Sequence, residues 1–195
     1  NQPIIPADVD YVTDTSRGTT IGVEGASVST VEHVMAALSG LEIDNVLITI
    51  DGPETPIRDG SASQFIEILE KTGIQEQKAD RDYFEIPFNV YYKEKDRNVE
   101  MIAMPLDGYR ATVMVDYNSP VLGSQHASIS DISEFKSEVA SSRTFCFLHE
   151  LEMLVDQGLI KGGDLNNAIV IVDKTVSENE LQNLAKLFNK ENIEV

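Results

Sequence analysis

Four capping patterns constrain the fold of this sequence most strongly, because they mark where helices can begin. A Ser or Asp followed three residues later by Glu or Gln can satisfy the free backbone N–H groups of a first helical turn. The pattern occurs at Ser29 and Glu32, Ser61 and Gln64, Asp131 and Glu134, and Ser177 and Glu180. Apolar residues follow each pair at helical spacing, so we predict four helices, each with one buried face.

The strand patterns are grouped along the chain and do not alternate strictly with the helices. Apolar and β-branched residues predict strands or hairpin arms over 21–26, 44–50, 83–92, 98–104, 110–117 and 168–172. Short turns join the third, fourth and fifth of these segments, which predicts an antiparallel meander. A further helix is predicted over 150–155. Grouped strands and helices favour α+β layers over a doubly wound parallel sheet.

A polar stretch without periodicity, 75–82, separates two halves that each contain strands and about two helices. We therefore predict two layered α+β domains, 1–80 and 81–195. Each would be a small, mainly antiparallel sheet packed against its helices. Because 42% of the residues are hydrophobic, each half can bury a core.

The charge balance excludes several classes of partner. Lys and Arg number 15 against 33 Asp and Glu, a net charge of −18. Nucleic acids and anionic membranes bind clustered positive charge, which this chain lacks. Its apolar runs are shorter than the roughly 18 residues of a membrane span. The single cysteine, Cys146, excludes an intramolecular disulfide and fits a reducing compartment. We therefore expect a cytoplasmic location.

Glu32 and His33 form the one Glu-His pair of the chain and fall in the first turn of a predicted helix. Adjacent helical residues point about 100° apart, so the two side chains cannot approach one atom with the same geometry. One could bind a metal while the other handles a proton one water away. The alternative is a capping Glu beside a solvated His, and the pair alone leaves both interpretations open.

Six motifs, in order along nearly the whole chain, resemble one enzyme family. They are STVEHVMAALSG at 29–40, IDNV at 43–46, DGSA at 59–62, SRTFCF at 142–147, GLIKGG at 158–163 and NAIV at 167–170. The family is UDP-3-O-acyl-N-acetylglucosamine deacetylase, the zinc amidase of lipid A synthesis. The resemblance implies two α+β domains with the active site between them. It also implies an acylated UDP-sugar as substrate, from which acetate is removed.

The resemblance assigns roles residue by residue. His33 matches a zinc ligand and Glu32 the general base beside it, while the hydroxyl of Thr144 matches the group that helps to stabilise the oxyanion. Asp59 matches a family aspartate that either caps the next helix or contacts substrate. An apolar segment matches the family's tunnel for the acyl chain and contains Phe145, Phe147, Leu151, Leu154, Ile160, Gly163 and Leu165. For these residues a plain core role remains the alternative.

The chain also departs from the family pattern. The family takes its other zinc ligands from an HKxxD stretch after NAIV and a further His as general acid, and this chain stops at Val195 before either. His126 and His149 are poor substitutes, because neither has an Asp four residues later. The family's opening strands are also absent upstream of Asn1. We therefore expect an incomplete first domain, no stable zinc binding or activity by these residues alone, and self-association through exposed sheet edges.

Two other functions remain open at this point. The chain could be a non-enzymatic module that binds an acyl chain or a protein through the apolar segment around 145–165. It could also belong to an amidase with a different acyl substrate. Some members of the family are fused to a 3-hydroxyacyl-carrier-protein dehydratase, and the residues present do not decide whether this protein is.

Overall fold

The computed structural model describes residues 3–151, 165–191 and 193. Its helices are α1 (Glu32–Gly40), α2 (Ser63–Thr72), α3 (Phe135–Glu138), α4 (described over 148–151) and α5 (Glu178–Leu187). Its strands are β1 (Val12–Asp14), β2 (Thr20–Val23), β3 (Ala26–Val28), β4 (Val90–Glu94), β5 (Val99–Ala103), β6 (Ala111–Asp116), β7 (Ser124–Ile129), β8 (Phe145–Phe147) and β9 (Ile169–Ile171). Short 3₁₀ turns lie at Val9–Tyr11 and Ile132–Glu134. The predicted α+β class is confirmed.

The first sheet is an antiparallel meander of β1, β2 and β3. Ile21 pairs with Val12 on one side and Val28 on the other. Gly25, at φ 81°, makes the turn between β2 and β3, a conformation that glycine adopts without steric cost. The predicted arm over 21–26 thus contains parts of two strands and the turn between them.

The predicted meander over 83–117 is wrong. The structure has two separate hairpins, β4 with β5 and β6 with β7. Strand β6 pairs along its whole length with β7, where Met114 lies opposite His126. The sequence signal of β7 is weak because five of its six residues are exposed, so no alternation of apolar and polar residues marks it.

The predicted strand over 44–50 is also wrong. These residues have no strand hydrogen bonds to any part of the chain that the structure describes, and Leu47 is 82% exposed. A strand needs a neighbour for its backbone N–H and C=O groups. The apolar and β-branched side chains of 44–50 favour a strand but do not supply that neighbour.

The buried core lies between helices α1 and α2. Ala37, Ala62, Ile66 and Ala140 form it, and Phe135 packs against them. Gly40 at the end of α1 permits this packing, since a Cβ there would lie 2.1 Å from the Phe135 ring. Phe135 and Ala140 lie C-terminal to the predicted domain boundary near residue 80. The boundary itself stays a prediction. No helix in the described ranges is both long and apolar enough to cross a membrane.

Candidate functional site

Glu32 is held by a neighbouring loop and does not cap its own helix. Helix α1 begins at Glu32 with Val31 as its N-cap and no side-chain cap, so the predicted capping box at Ser29 is wrong. The Glu32 carboxylate accepts a hydrogen bond from the Thr19 backbone N–H at 2.9 Å. Gly18 also lies against it, because a Cβ on Gly18 would be 3.3 Å from Oε1. The loop between β1 and β2 therefore holds the carboxylate.

The backbone before α1 explains why Ser29 is not the cap. Thr30 adopts φ 58°, which is rare for a β-branched residue. Its hydroxyl donates to Glu54 at 2.6 Å. Ser29 lies in a parallel bridge with the 53–55 segment: its N–H donates to the Pro53 carbonyl at 2.9 Å, and its carbonyl accepts from the Thr55 N–H at 3.1 Å. These contacts place Ser29 away from the helix start.

His33 is the second residue of α1 and is half-buried. Within the described residues, no group of three His, Cys, Asp or Glu side chains is arranged to hold a metal ion. His126 lies exposed on β7. His149 instead makes a 2.7 Å contact between its Nδ1 and Oδ2 of Asp173. A catalytic zinc site takes three protein ligands, so the described residues do not fit a complete one, and His33 would be a single ligand.

Thr144 lies where three segments meet. Its N–H donates to the Gly60 carbonyl at 2.8 Å, and its carbonyl accepts from the Ile169 N–H at 3.0 Å. Arg143 donates to the Asp59 carbonyl at 2.7 Å. Gly60 adopts φ 82°, and a Cβ there would lie 2.0 Å from the Asn167 carbonyl oxygen. Only glycine fits this crossing, which sets the backbone of Thr144.

Asp59 bonds to the start of the next helix without capping it directly. Its Oδ1 accepts from the Ser61 hydroxyl at 2.9 Å, and the Ser61 hydroxyl oxygen accepts from the Ser63 N–H at 3.2 Å. Burial opposes ionisation, but the bonds from Ser61 outweigh it and lower the pKa of Asp59. The N-cap of α2 is Ala62, without a side-chain cap, so the second predicted capping box is wrong.

Three aromatic rings form a cluster at the start of the predicted acyl-chain segment. Phe145 and Phe147 pack edge to face at 5.8 Å, and Tyr117 meets them at 5.5 and 6.3 Å. His149 stacks on Phe147 at 5.4 Å. Tyr117 was not singled out in the sequence, where its only signal is its place at the end of a β pattern.

The remaining residues of the predicted acyl-chain segment differ in burial, and some lie outside the described residues. Leu151 is 2% exposed and Leu165 is half-buried. Leu154, Ile160 and Gly163 lie outside the described residues. Among the described hydrogen bonds none joins Thr144 to Glu32 or His33. One link between the two regions is an ion pair of Arg17 with Glu150, at 2.6 Å, between residues 133 positions apart. No local pattern in the sequence could reveal it.

Comparison with known proteins agrees with the motifs. The family model described as "UDP-3-O-acyl N-acetylglycosamine deacetylase" matches residues 1–187. A protein of Chlorobaculum tepidum named "Bifunctional enzyme LpxC/FabZ" is 50% identical over 184 residues, which are 94% of this chain and 39% of that protein. A protein of the same name from Bacteroides thetaiotaomicron is 44% identical over 187 residues, 96% of this chain and 41% of its own length.

A single-function relative matches as well. The UDP-3-O-acyl-N-acetylglucosamine deacetylase of Nitratidesulfovibrio vulgaris is 42% identical over 172 residues, which are 88% of this chain and 55% of that protein. The chain thus spans between two fifths and just over half the length of these relatives.

Proposed function

The chain belongs to the UDP-3-O-acyl N-acetylglycosamine deacetylase family, and on that premise we propose that the complete protein hydrolyses the acetamide of UDP-3-O-(3-hydroxyacyl)-N-acetylglucosamine in lipid A synthesis. The observation that carries the proposal is the state of Glu32. Its carboxylate accepts the Thr19 N–H at 2.9 Å and sits beside His33 at a half-buried helix start. A carboxylate held by tertiary contacts, and not used as a cap, is available to act as a general base.

In this proposal Glu32 takes a proton from the attacking water, whose oxygen bonds to the acetyl carbon. Charge then develops on the carbonyl oxygen, and a hydroxyl donor at that position stabilises it. We assign the donor to Thr144, whose backbone is set by Gly60 and Ile169. Breaking the C–N bond releases acetate and an amine. The amine's proton would come from a residue outside the described ones, in keeping with the further histidine that the resemblance implies.

The apolar segment would receive the acyl chain. Phe145 and Phe147 lie on β8, and Phe145 is 37% exposed. An exposed aromatic beside other rings offers apolar surface at low cost in side-chain entropy. Leu151 is buried at 2% exposure and would support the wall from behind, whereas Leu165 is half-buried. Ile160 and Gly163 are assigned to the same segment by the resemblance alone.

We further propose that the complete protein needs zinc and that His33 supplies one ligand. When bound, zinc lowers the pKa of its water to about 7. The described residues gather no three-ligand group, so in this proposal the other ligands come from outside them.

The decisive experiment compares the protein expressed from its complete gene with the 195-residue chain. We expect the complete protein to release acetate from the UDP-sugar substrate and to contain zinc, and the chain alone to do neither. Zinc-dependent deacetylation by the chain alone would contradict the proposal that this chain supplies only one zinc ligand, His33. A complete protein that binds acyl chains, lacks zinc and releases no acetate would favour the alternative, a non-enzymatic binding module.

The bifunctional names of two relatives support a fusion with a 3-hydroxyacyl-carrier-protein dehydratase. The mass of the protein expressed from the complete gene tests this: a mass that leaves no room for a second enzyme would contradict it.

We also expect the 195-residue chain to self-associate. In the described meander, β1 and β3 each have one free edge, and apolar side chains of the hairpins are exposed, among them Tyr91 at 69% and Met114 at 77%. Free edges and apolar surface favour association. Light scattering over a range of concentrations tests this, and a strictly monomeric species would contradict it.

A further inference from the structure

Arg17 makes a two-point contact across the molecule from an uncommon backbone conformation. Its Nη2 lies 2.6 Å from Oε1 of Glu150 and its Nη1 lies 3.4 Å from Oε2. Arg17 itself adopts φ 64°. Residues other than glycine adopt the left-handed region at an energetic cost, and such residues cluster at functional sites. The contact with Glu150 therefore helps to keep the loop in a backbone conformation that is unfavourable without it.

Arg17 lies in the loop between β1 and β2, which is the loop that holds Glu32. Gly18 lies against Oε1 of Glu32, and the Thr19 N–H donates to Oε2 at 2.9 Å. Only one residue separates the guanidinium-bearing position from the N–H that orients the carboxylate. Movement of Arg17 would therefore move this donor.

The other end of the contact is tied to the aromatic cluster. Oε2 of Glu150 accepts the backbone N–H of Phe147 at 3.2 Å, and Glu150 follows β8 by three residues on α4. The contact raises the pKa of Arg17 and lowers the pKa of Glu150, chiefly through the hydrogen bond between them. Both groups are thus charged at neutral pH, and a forked, charge-assisted pair fixes geometry more sharply than a single bond.

We propose that Arg17 is a positioning residue for Glu32: its ion pair with Glu150 fixes the 17–19 loop so that the Thr19 N–H orients the Glu32 carboxylate. Through Glu150, the same ion pair connects the Glu32 carboxylate to strand β8. Because the side chains of Arg17 and Glu150 are 44% and 22% exposed, we expect the pair to add little to the free energy of unfolding and to act mainly on the position of the loop. The expected effect on kcat rests on the proposed function, whereas the expected effect on the Thr19 N–H does not.

The test uses the complete protein with Arg17→Ala, Arg17→Lys and a matched control, Lys136→Ala. Lys136 also makes a cross-element ion pair, with Glu70 at 2.6 Å, and neither residue belongs to the candidate site. We expect Arg17→Ala to lower kcat about tenfold, as a small misplacement of a catalytic group does, with KM changed less than about twofold. Arg17→Lys should recover part of kcat, and Lys136→Ala should keep it.

A second measurement does not depend on activity. Hydrogen exchange of the Thr19 amide should accelerate about tenfold in Arg17→Ala and stay unchanged in Lys136→Ala, because only the first variant releases the bond to Glu32. Unchanged Thr19 exchange, or a kcat within twofold of wild type, would overturn the proposal. So would an equal loss in the control. If wild type has no deacetylase activity but Thr19 exchange responds as expected, the positioning role stands and the proposed function fails.

Discussion

The starts of α1 and α5 share the Ser-x-x-Glu pattern but use it in opposite ways. At α5 the Ser177 hydroxyl oxygen accepts from the Glu180 N–H at 3.3 Å, and the Glu180 carboxylate accepts from the Ser177 N–H at 2.9 Å, a complete capping box. At α1 the Glu32 carboxylate accepts from Thr19 instead. Glu180 thus stabilises its own helix, whereas Glu32 is oriented by another element, the loop between β1 and β2. The Ser-x-x-Glu pattern can therefore occur without a cap, with its carboxylate bound by another element.

The sharpest way to test this contrast is to remove the charge from each glutamate in the complete protein. We expect Glu32→Gln to lower kcat for acetate release about a thousandfold, which is in the range lost with a general base. Glu180→Gln should keep kcat within about twofold of wild type, since that carboxylate serves only its helix. A Glu32→Gln variant that stays folded by circular dichroism and retains a tenth of the activity would contradict the assigned role.

A smaller effect is expected from crowding Glu32 without removing it. In Gly18→Ala the new Cβ would lie 3.3 Å from Oε1 and 3.7 Å from the Thr30 hydroxyl, so the carboxylate must shift by a few tenths of an ångström. We expect kcat to fall about tenfold in steady-state assays. Gly52→Ala is the matched control, because a Cβ there meets nothing within 4 Å. Equal activity of the two variants would remove the support for a held carboxylate.

The two serines should differ in their contribution to stability. Ser177→Ala removes a true N-cap and should lower the free energy of unfolding by about 1 kcal/mol. Ser29→Ala removes only a 3.3 Å bond from its hydroxyl to the Pro53 carbonyl and should cost less than about 0.5 kcal/mol. Equilibrium urea unfolding measures both. A larger loss for Ser29→Ala would mean that its hydroxyl supports α1 after all.

The least pronounced difference is a pH effect at α5. Bonds from the Ser177 N–H and hydroxyl, and then from Lys174, lower the pKa of Glu180 from 4.5 to about 2. Because the folded-state pKa is lowered, the stabilisation is present above pH 4.5 and is lost as the pH falls towards 2. Urea midpoints at pH 5 and pH 3 should therefore differ more in wild type than in Glu180→Gln. An identical pH dependence in the two proteins would exclude this contribution.

Two of the four predicted caps, which depend on local chemistry, are confirmed, and those at Ser29 and Ser61 are not. Asp131 caps the 3₁₀ turn before α3, and Ser177 and Glu180 form the predicted capping box of α5. Each outcome depends on a backbone preference or a hydrogen bond that spans only a few residues. The strand pattern at 168–172 pairs with β8, whereas the one at 44–50 has no partner among the described residues, because strand character does not specify the neighbouring strand.

The family motifs, the α+β class and the capping box of α5 follow from the sequence alone. Tertiary contacts set which Ser-x-x-Glu carboxylate caps its own helix and which is bound by a distant loop. The physical reason is range: a capping pattern describes contacts within about one turn, whereas the donor to Glu32 is 13 residues away and the Arg17 partner is 133 residues away. Gly60 shows the same limit, because the carbonyl that forbids its side chain belongs to Asn167.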